Sequence, residues 1–267
     1  SFTAACGSGQ STASNSTDSD DITQQTYKPG KLTIATGQPA YEPWVMNDKP
    51  ESGEGYEAAV AYAVADKLGF KKSDVVWTRT AFDTAIAPGA KDWDFNIQQF
   101  GITDERKKAV DFSSSYYNDS QSVVVKKDSK FANATKVSDL KDATVGVMVG
   151  TLAYDYAKAN IKDDIQTFND DAALAQALDA GQIDALVTST VECVYMVQSE
   201  QVKDAKVLGR LPDSEDKSGM GIVLPKDSKL TAAVTKAVDD LNADGTIKKL
   251  QDKWLAEYTT DLTELKK

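Results

Sequence analysis

The feature that most constrains this chain is an alternation of segments that runs once and then starts again. Lys31–Thr36 is a short apolar run closed by a loop, Gly37 to Trp44, with prolines at 39 and 43; it reads as a strand. Gly55-Tyr56-Glu57 opens an alanine-rich stretch, Ala58–Leu68, that Gly69 stops, and this reads as a helix. A strand over Asp74–Arg79, a short helix over Phe82–Ala87 and a strand over Trp93–Gln99 complete the unit. The pattern resumes with strands over Thr144–Val149, Ile165–Phe168 and Ile183–Thr188. Helices ending at Asn160, over Asp171–Ala180 and over Val191–Gln201 alternate with them. Strand–helix–strand repeats predict a parallel sheet with its ligand chemistry at strand ends. Two units of similar size predict two such bodies.

Outside the repeats, Gln121–Lys127 is a valine-rich strand, and Met220–Pro225 is another after the acidic loop Asp213–Lys217. Helices over Ser228–Ala243 and Ile247–Tyr258 close the chain, with a stop at Gly245. Leu230, Val234, Val238 and Leu241 have helical spacing, which predicts a packing face.

Composition removes several function classes. The 267 residues carry a net charge of −11 with no basic cluster, which argues against nucleic acid as a partner. Histidine is absent, so the commonest proton shuttle and metal ligand are missing and Ser-His or Zn-His chemistry is excluded. The two cysteines, Cys6 and Cys193, are too far apart to read as a metal site, and Cys193 reads as a small buried hydrophobe. No apolar run approaches the roughly 18 residues of a membrane span. No catalytic residue, cofactor or metal is expected.

Residues 1–28 are polar, rich in Ser, Thr, Gln, Asp and Gly, and cannot bury enough surface to offset ordering entropy; a disordered tether is expected. Thr3-Ala4-Ala5-Cys6-Gly7 resembles the end of a bacterial lipobox, with Thr3 where leucine is usual, so Cys6 is the expected lipidation site. The missing initiator methionine suggests that the front of a signal peptide has been removed. The tether of about 22 residues has an r.m.s. reach of roughly 25 Å.

The most informative polar stretch is Phe100-Gly101-Ile102-Thr103-Asp104-Glu105-Arg106, continuing to Tyr117. Thr103 is a good N-cap and Arg106 falls on the first turn after it, where free amides and the helix dipole favour an anion. An arginine fork there suits a carboxylate, because both oxygens can be engaged. The competing reading is a solvated turn in which Arg106 pairs with Asp104 or Glu105.

The string from Gly101 to Tyr117, G-I-T-D-E-R-K-K-A-V-D-F-S-S-S-Y-Y, resembles the S-I-T-x-x-R-x-x-x-x-D-F-S-x-P-Y segment of the family 3 solute-binding proteins. These are extracytoplasmic receptors of polar amino-acid ABC importers. Gly101 and Ser115 replace the usual serine and proline. The resemblance implies that Arg106 grips a ligand α-carboxylate, that the Gly101 amide donates, and that Tyr41 and Phe82 are the covering aromatics. Gln99, just ahead of the motif, joins them as a candidate. Gly150-Thr151, at the end of a V-G-V-x-x-G-T step, implies a second carboxylate contact. Taken as residues alone, Tyr41 and Phe82 are ordinary aromatics. The opening helix lacks the family's inner aspartate, with Ala59 in its place, and D-G-T-I-K-K-L-Q-D-K-W-L is again family-like. The similarity spans about residues 30–255.

The implied fold is a two-lobed periplasmic-binding-protein-like α/β fold of type II, each lobe a βαβ-type sheet flanked by helices, with two crossing hinge strands near 118–123 and 218–223. Residues 29–120 and 221–267 are expected to form lobe 1, and 121–220 lobe 2. The implied function is a receptor that clamps an amino acid or related small carboxylate and presents its closed form to ABC permease subunits. It would act as a monomer at the extracellular face, attached to the membrane through a lipid anchor only. A cyclohexadienyl-dehydratase-like enzyme on the same fold and a surface adhesin are the alternatives; the enzyme needs an Asp or Glu general acid.

One departure bears on the ligand. The family's D-A-x-V-x-D run ends in an aspartate that pairs with the ligand ammonium, and here Asp184-Ala185-Leu186-Val187-Thr188 is followed by Ser189. Ser189-Thr190-Val191-Glu192 also fits a capping box. The expectation is a ligand outside the standard basic amino acids, with its ammonium met by another acid, by neutral oxygens, or absent.

Overall fold

The computed structural model describes residues 21–267, so Cys6 lies outside the described residues. Two five-stranded sheets organise the chain. Strands β1 (Leu32–Thr36), β2 (Val75–Arg79), β3 (Phe95–Asn96), β4 (Val110–Tyr117) and β10 (Met220–Pro225) form the first, in the order β2-β1-β3-β10-β4. Strands β5 (Gln121–Lys126), β6 (Val145–Met148), β7 (Ile165–Phe168), β8 (Ala185–Ser189) and β9 (Ala205–Arg210) form the second, in the order β7-β6-β8-β5-β9.

Each sheet keeps the expected parallel core and adds antiparallel strands. In the first, β1 runs parallel to β2 and β3, while β10 is antiparallel to β3 and β4. In the second, β6 runs parallel to β7 and β8, while β5 is antiparallel to β8 and β9. The sheets are therefore mixed rather than wholly parallel. The cause is the double crossing: β4 leads to β5 in the other sheet through residues 118–120, and the chain returns from β9 to β10.

Helices α1 (Tyr56–Lys67), α2 (Phe82–Ile86), α3 (Asp104–Lys107), α7 (Thr231–Ala243), α8 (Thr246–Trp254) and α9 (Ala256–Thr259) accompany the first sheet. Helices α4 (Leu152–Asn160), α5 (Asp171–Asp179) and α6 (Thr190–Gln198) accompany the second. Leu230, Val234, Val238 and Leu241 are all buried in the first core, as their spacing predicts. Cys193 is fully buried in the second lobe.

Five local expectations differ from what is found. The tether expected over residues 1–28 is ordered where it is described: Asp21 caps a short 3-10 turn over Ile22–Gln24, Ile22 packs on the first core, the Tyr27 N–H donates to Asp94 at 2.7 Å and Lys28 bridges to Lys31, because these residues find partners in the first lobe that their polar composition does not announce. The strand expected over 93–99 is regular for two residues only, because Asp94 turns its carboxylate onto the Thr33 and Tyr27 amides and Gln99 takes a positive φ of 52°. The strands β4 and β9 stand where no strand was expected; both gain their regularity from partners distant in sequence. The last helix breaks at Leu255, giving α8 and α9. The tail does not belong wholly to the first lobe: Arg210 donates its backbone N–H to the Thr263 carbonyl, Lys266 donates to Thr135, and Leu265 is buried in the second lobe's core. A hydrophobic side chain near the end found its burial across the crossing.

Helix α6 is shared between the lobes. Cys193 and Met196 pack into the second lobe, whereas Val191 and Val194 join the first lobe's core with Trp44, Leu255 and Tyr258.

Candidate functional site

Helix α3 is built as its sequence predicts. Thr103 is extended and its Oγ1 accepts the Arg106 N–H at 3.1 Å, which ties the arginine to the first turn. The Arg106 guanidinium donates from Nη1 to the Gly101 carbonyl at 2.8 Å and lies 5.3 Å from the centroid of the Phe82 ring. Phe82 is stacked in turn on the buried Phe100 at 4.7 Å between centroids. Among the described residues Arg106 forms no salt bridge; Glu105 pairs instead with Lys108 at 3.2 Å. Burial lowers the Arg106 pKa, opposed by the charge of Asp83, so the group is partly desolvated without a carboxylate of its own in contact. The solvated-turn reading fails for that reason.

Gly101 forms an isolated bridge to Met220, and a Cβ there would sit 3.5 Å from Arg106 Nη1, an ordinary contact. Nothing steric at this position forbids the serine usual in the motif.

Gln99 is not brought to this site. Its backbone N–H donates to Glu57 Oε2 at 2.8 Å and its side-chain amide donates to Glu57 Oε1, so the side chain is spent inside the first lobe. Glu57 is fully buried, also accepts from the Tyr116 hydroxyl, and its carboxyl is pushed up to about 7 by burial. The family-like Gly-Tyr-Glu opening of α1 thus fixes the corner from which the Arg106 segment departs.

On the second lobe, Gly150 has φ 72°, and a Cβ added there would meet nothing within 4 Å, so the loop is open. Thr151 caps α4, accepting the Tyr154 N–H at 3.3 Å and donating to the Met148 carbonyl at 2.7 Å. Among the described residues, the exposed large hydrophobics include Tyr41 on one lobe and Val149 and Leu152, which flank Gly150-Thr151, on the other.

Ser189 does not make the expected capping box. Its side chain makes no cap hydrogen bond, and Glu192 does not reach back. Instead Glu192 Oε1 accepts from Trp44 Nε1 at 3.4 Å, a contact between the lobes. The Ser189 hydroxyl faces the carboxylate of Asp119 on the first crossing. The hydrogen-bonding power of both residues is drawn off by partners that are far away in sequence. Burial, then the charge of Asp171, pushes the Glu192 carboxyl up to about 8. Burial raises Asp119 to about 7, and burial raises Asp171 to about 6. The Tyr41 hydroxyl is raised by burial and then by Asp170, Glu192, Asp171 and Asp48, which puts these acids around the exposed tyrosine.

Sequence reasoning missed Asp119, Asp171 and Trp44 as site neighbours and gave Glu192 only a cap. No local pattern marks them; they come together through the crossing and α6. A cavity of about 570 Å³ beside the crossing strands is lined by Tyr117, Asp119, Ser120, Thr190, Arg210 and Ser214 among others, and by none of Tyr41, Phe82, Arg106 or Thr151.

Two α/β lobes, joined by a double crossing, define a clamshell binding protein that can enclose a small ligand between them. The chain belongs to the bacterial extracellular solute-binding proteins, family 3, whose model it matches over residues 32–257. It is 29% identical over 245 residues to the L-arginine-binding protein of Pseudomonas aeruginosa, covering 86% of this chain and 88% of that protein. It is 30% identical over 223 residues to the L-cystine-binding protein TcyJ of Escherichia coli, covering 82% and 81%. An ancestral arginine-binding protein bound to arginine superposes with a TM-score of 0.67 at 31% identity, covering 85% of this chain and 98% of that one. The chain is therefore a substrate-binding receptor of the amino-acid ABC-importer type.

Proposed function

We propose that this receptor holds an amino acid by its carboxylate on Arg106, with the Gly101 corner and Phe82 on one lobe and Gly150-Thr151 on the other, and that it carries out no chemistry. The observation that carries the reading is Arg106 itself: partly desolvated, fixed by Thr103 and the Gly101 carbonyl, set over an aromatic ring, and forming no salt bridge among the described residues. A guanidinium in that state gains most from a bidentate carboxylate. The exposed Tyr41, Val149 and Leu152 supply apolar surface that closure can cover, and ligand contacts to both lobes shift the population toward the closed form. The names of the relatives, arginine- and cystine-binding, support an amino acid as the ligand class. The protein acts as a monomer, with residues 29–120 and 221–261 moving against 121–220. It is held at the outer face of the membrane by a lipid on Cys6.

Isothermal calorimetry with the twenty amino acids and L-cystine tests the reading. The best ligand should lose at least about 3 kcal/mol, roughly 100-fold in affinity, on Arg106→Ala. Near-wild-type binding by that variant removes the assignment. An enzyme on this fold would use a protonated acid such as Glu192, and turnover of a prephenate-like substrate would favour it; none is expected.

A further inference from the structure

Tyr41 stands on the loop between β1 and α1 and is 53% exposed. Among the described residues its hydroxyl forms no hydrogen bond and its ring stacks on no other aromatic. Burial, then the charges of Asp170, Glu192 and Asp171 on the second lobe, raise its pKa, so the ring lies on the face turned to that lobe. With no polar or aromatic partner of its own, the ring is placed by its backbone. After Tyr41 the chain is anchored by packing: Pro43, Trp44 and Val45 are buried, and the Val45 N–H donates to the Tyr41 carbonyl at 2.9 Å.

Before Tyr41, the limb from Gly37 to Ala40 is held by one ion pair. Arg79, the last residue of β2, donates from Nη1 to the Gly37 carbonyl at 2.8 Å and to Asp48 Oδ1 at 2.5 Å. Its Nη2 donates to the backbone carbonyl of Asp48 at 2.8 Å. The same Asp48 Oδ1 accepts the N–H of Ala40, the residue just ahead of Tyr41, at 2.8 Å. Asn47 and Asp48 have φ values of 54° and 55°, a left-handed turn that Asn and Asp adopt more readily than other side chains. That turn brings the carboxylate and the carbonyl of Asp48 onto one guanidinium. The limb also lies close on Gln98, since a Cβ at Gly37 would sit 2.7 Å from its side-chain nitrogen. A single cross-link from the neighbouring strand thus fixes both ends of the limb.

We propose that Asp48 and Arg79 are positioning residues for ligand capture: they fix the Gly37–Ala40 limb and so hold the Tyr41 ring in place to cover the ligand. This rests on the receptor reading above, with Tyr41 as a covering aromatic. The pair acts by preorganisation, because a ring already in place loses less freedom when the ligand arrives. When only a fraction of the free protein keeps the ring there, apparent affinity falls by that fraction. The two side chains are 27% and 41% exposed, so the pair adds little to global stability and its variants should fold.

Calorimetry on the intact protein with the twenty amino acids and L-cystine finds the tightest of these compounds, and that compound is the probe. Asp48→Ala and Arg79→Ala should each weaken it about tenfold or more, while thermal melts stay close to wild type. Asp48→Asn keeps an oxygen for the Ala40 N–H but loses the charge, so its affinity should fall between those of Asp48→Ala and wild type. It also carries the test should the alanine variant not fold. The deciding readout is a double-mutant cycle with Tyr41→Ala. In that background the ring is already gone, and Asp48→Ala should cost less than about twofold further. An equal loss with and without the Tyr41 ring means general damage to the lobe and overturns the proposal. Asp48→Ala or Tyr41→Ala binding within about twofold of wild type overturns it as well. In each of those cases a loss of roughly 100-fold on Arg106→Ala leaves the receptor reading intact. No binding of any compound by the wild-type protein removes both.

Discussion

Removing the Glu57 carboxylate should damage the site from a distance. Glu57 is fully buried and accepts three hydrogen bonds, from the Gln99 amide N–H, the Gln99 side chain and the Tyr116 hydroxyl. Glu57→Ala strands all three donors in the interior; unmet buried donors cost about 1–3 kcal/mol each, and partial relaxation brings the total to about 3–5 kcal/mol. For a chain of this size that is a fall in melting temperature of roughly 6–20 °C. Glu57→Gln is a different perturbation. One oxygen remains for the Gln99 N–H and the Tyr116 hydroxyl, and the Gln99 side-chain amide can rotate to accept from the new NH₂, so the cost should stay within about 1 kcal/mol. The pH dependence separates the two further. The folded pKa of Glu57 is raised to about 7 from its ordinary 4.5. The folded state therefore binds the proton more tightly, and this stabilisation is complete below pH 4.5 and fades as pH rises through 7. Differential scanning calorimetry at about pH 5 and about pH 8 should show wild type losing more stability over that interval than Glu57→Gln. Glu57→Ala costing under about 1 kcal/mol, or Glu57→Gln matching it at both pH values, would refute the argument.

Other consequences can be checked alongside. Gly55 has φ 104°, and a Cβ there would lie 2.5 Å from the Trp44 carbonyl oxygen, so Gly55→Ala should destabilise by at least about 2 kcal/mol in urea melts. Glu192→Gln without ligand should raise the melting temperature at about pH 8.5 more than at about pH 5, because burial disfavours the ionised carboxylate, whose pKa stands at about 8. Small-angle scattering should show compaction when the best amino acid is added, and an unchanged profile would count against closure. Mass spectrometry of the native membrane fraction should find a diacylglycerol adduct on Cys6.

The elements with local causes were legible without coordinates. Thr103 caps α3 because a threonine oxygen three residues ahead of Arg106 reaches its amide, and Leu230, Val234, Val238 and Leu241 are buried because helical spacing aligns them. The Gly and Pro punctuation around the apolar runs located most of the other strands within a few residues. The family motif also led to Arg106, Phe82 and Gly101, which do lie together.

What lay beyond the sequence was everything that depends on which distant segments meet. Strands β4 and β9 exist because partners from the other crossing line up beside them, and Leu265 leaves its own lobe for a core that no spacing announces. Gln99 sits two residues before Gly101, yet a positive φ turns it toward Glu57, which takes up both its backbone N–H and its side-chain amide. Ser189 and Glu192 have the spacing of a capping box, but Asp119 and Trp44, brought in by the hinge and the opposite lobe, draw them off. A short-range hydrogen bond yields wherever a buried group from elsewhere has the greater need of the same partner, and only the tertiary structure decides where that happens.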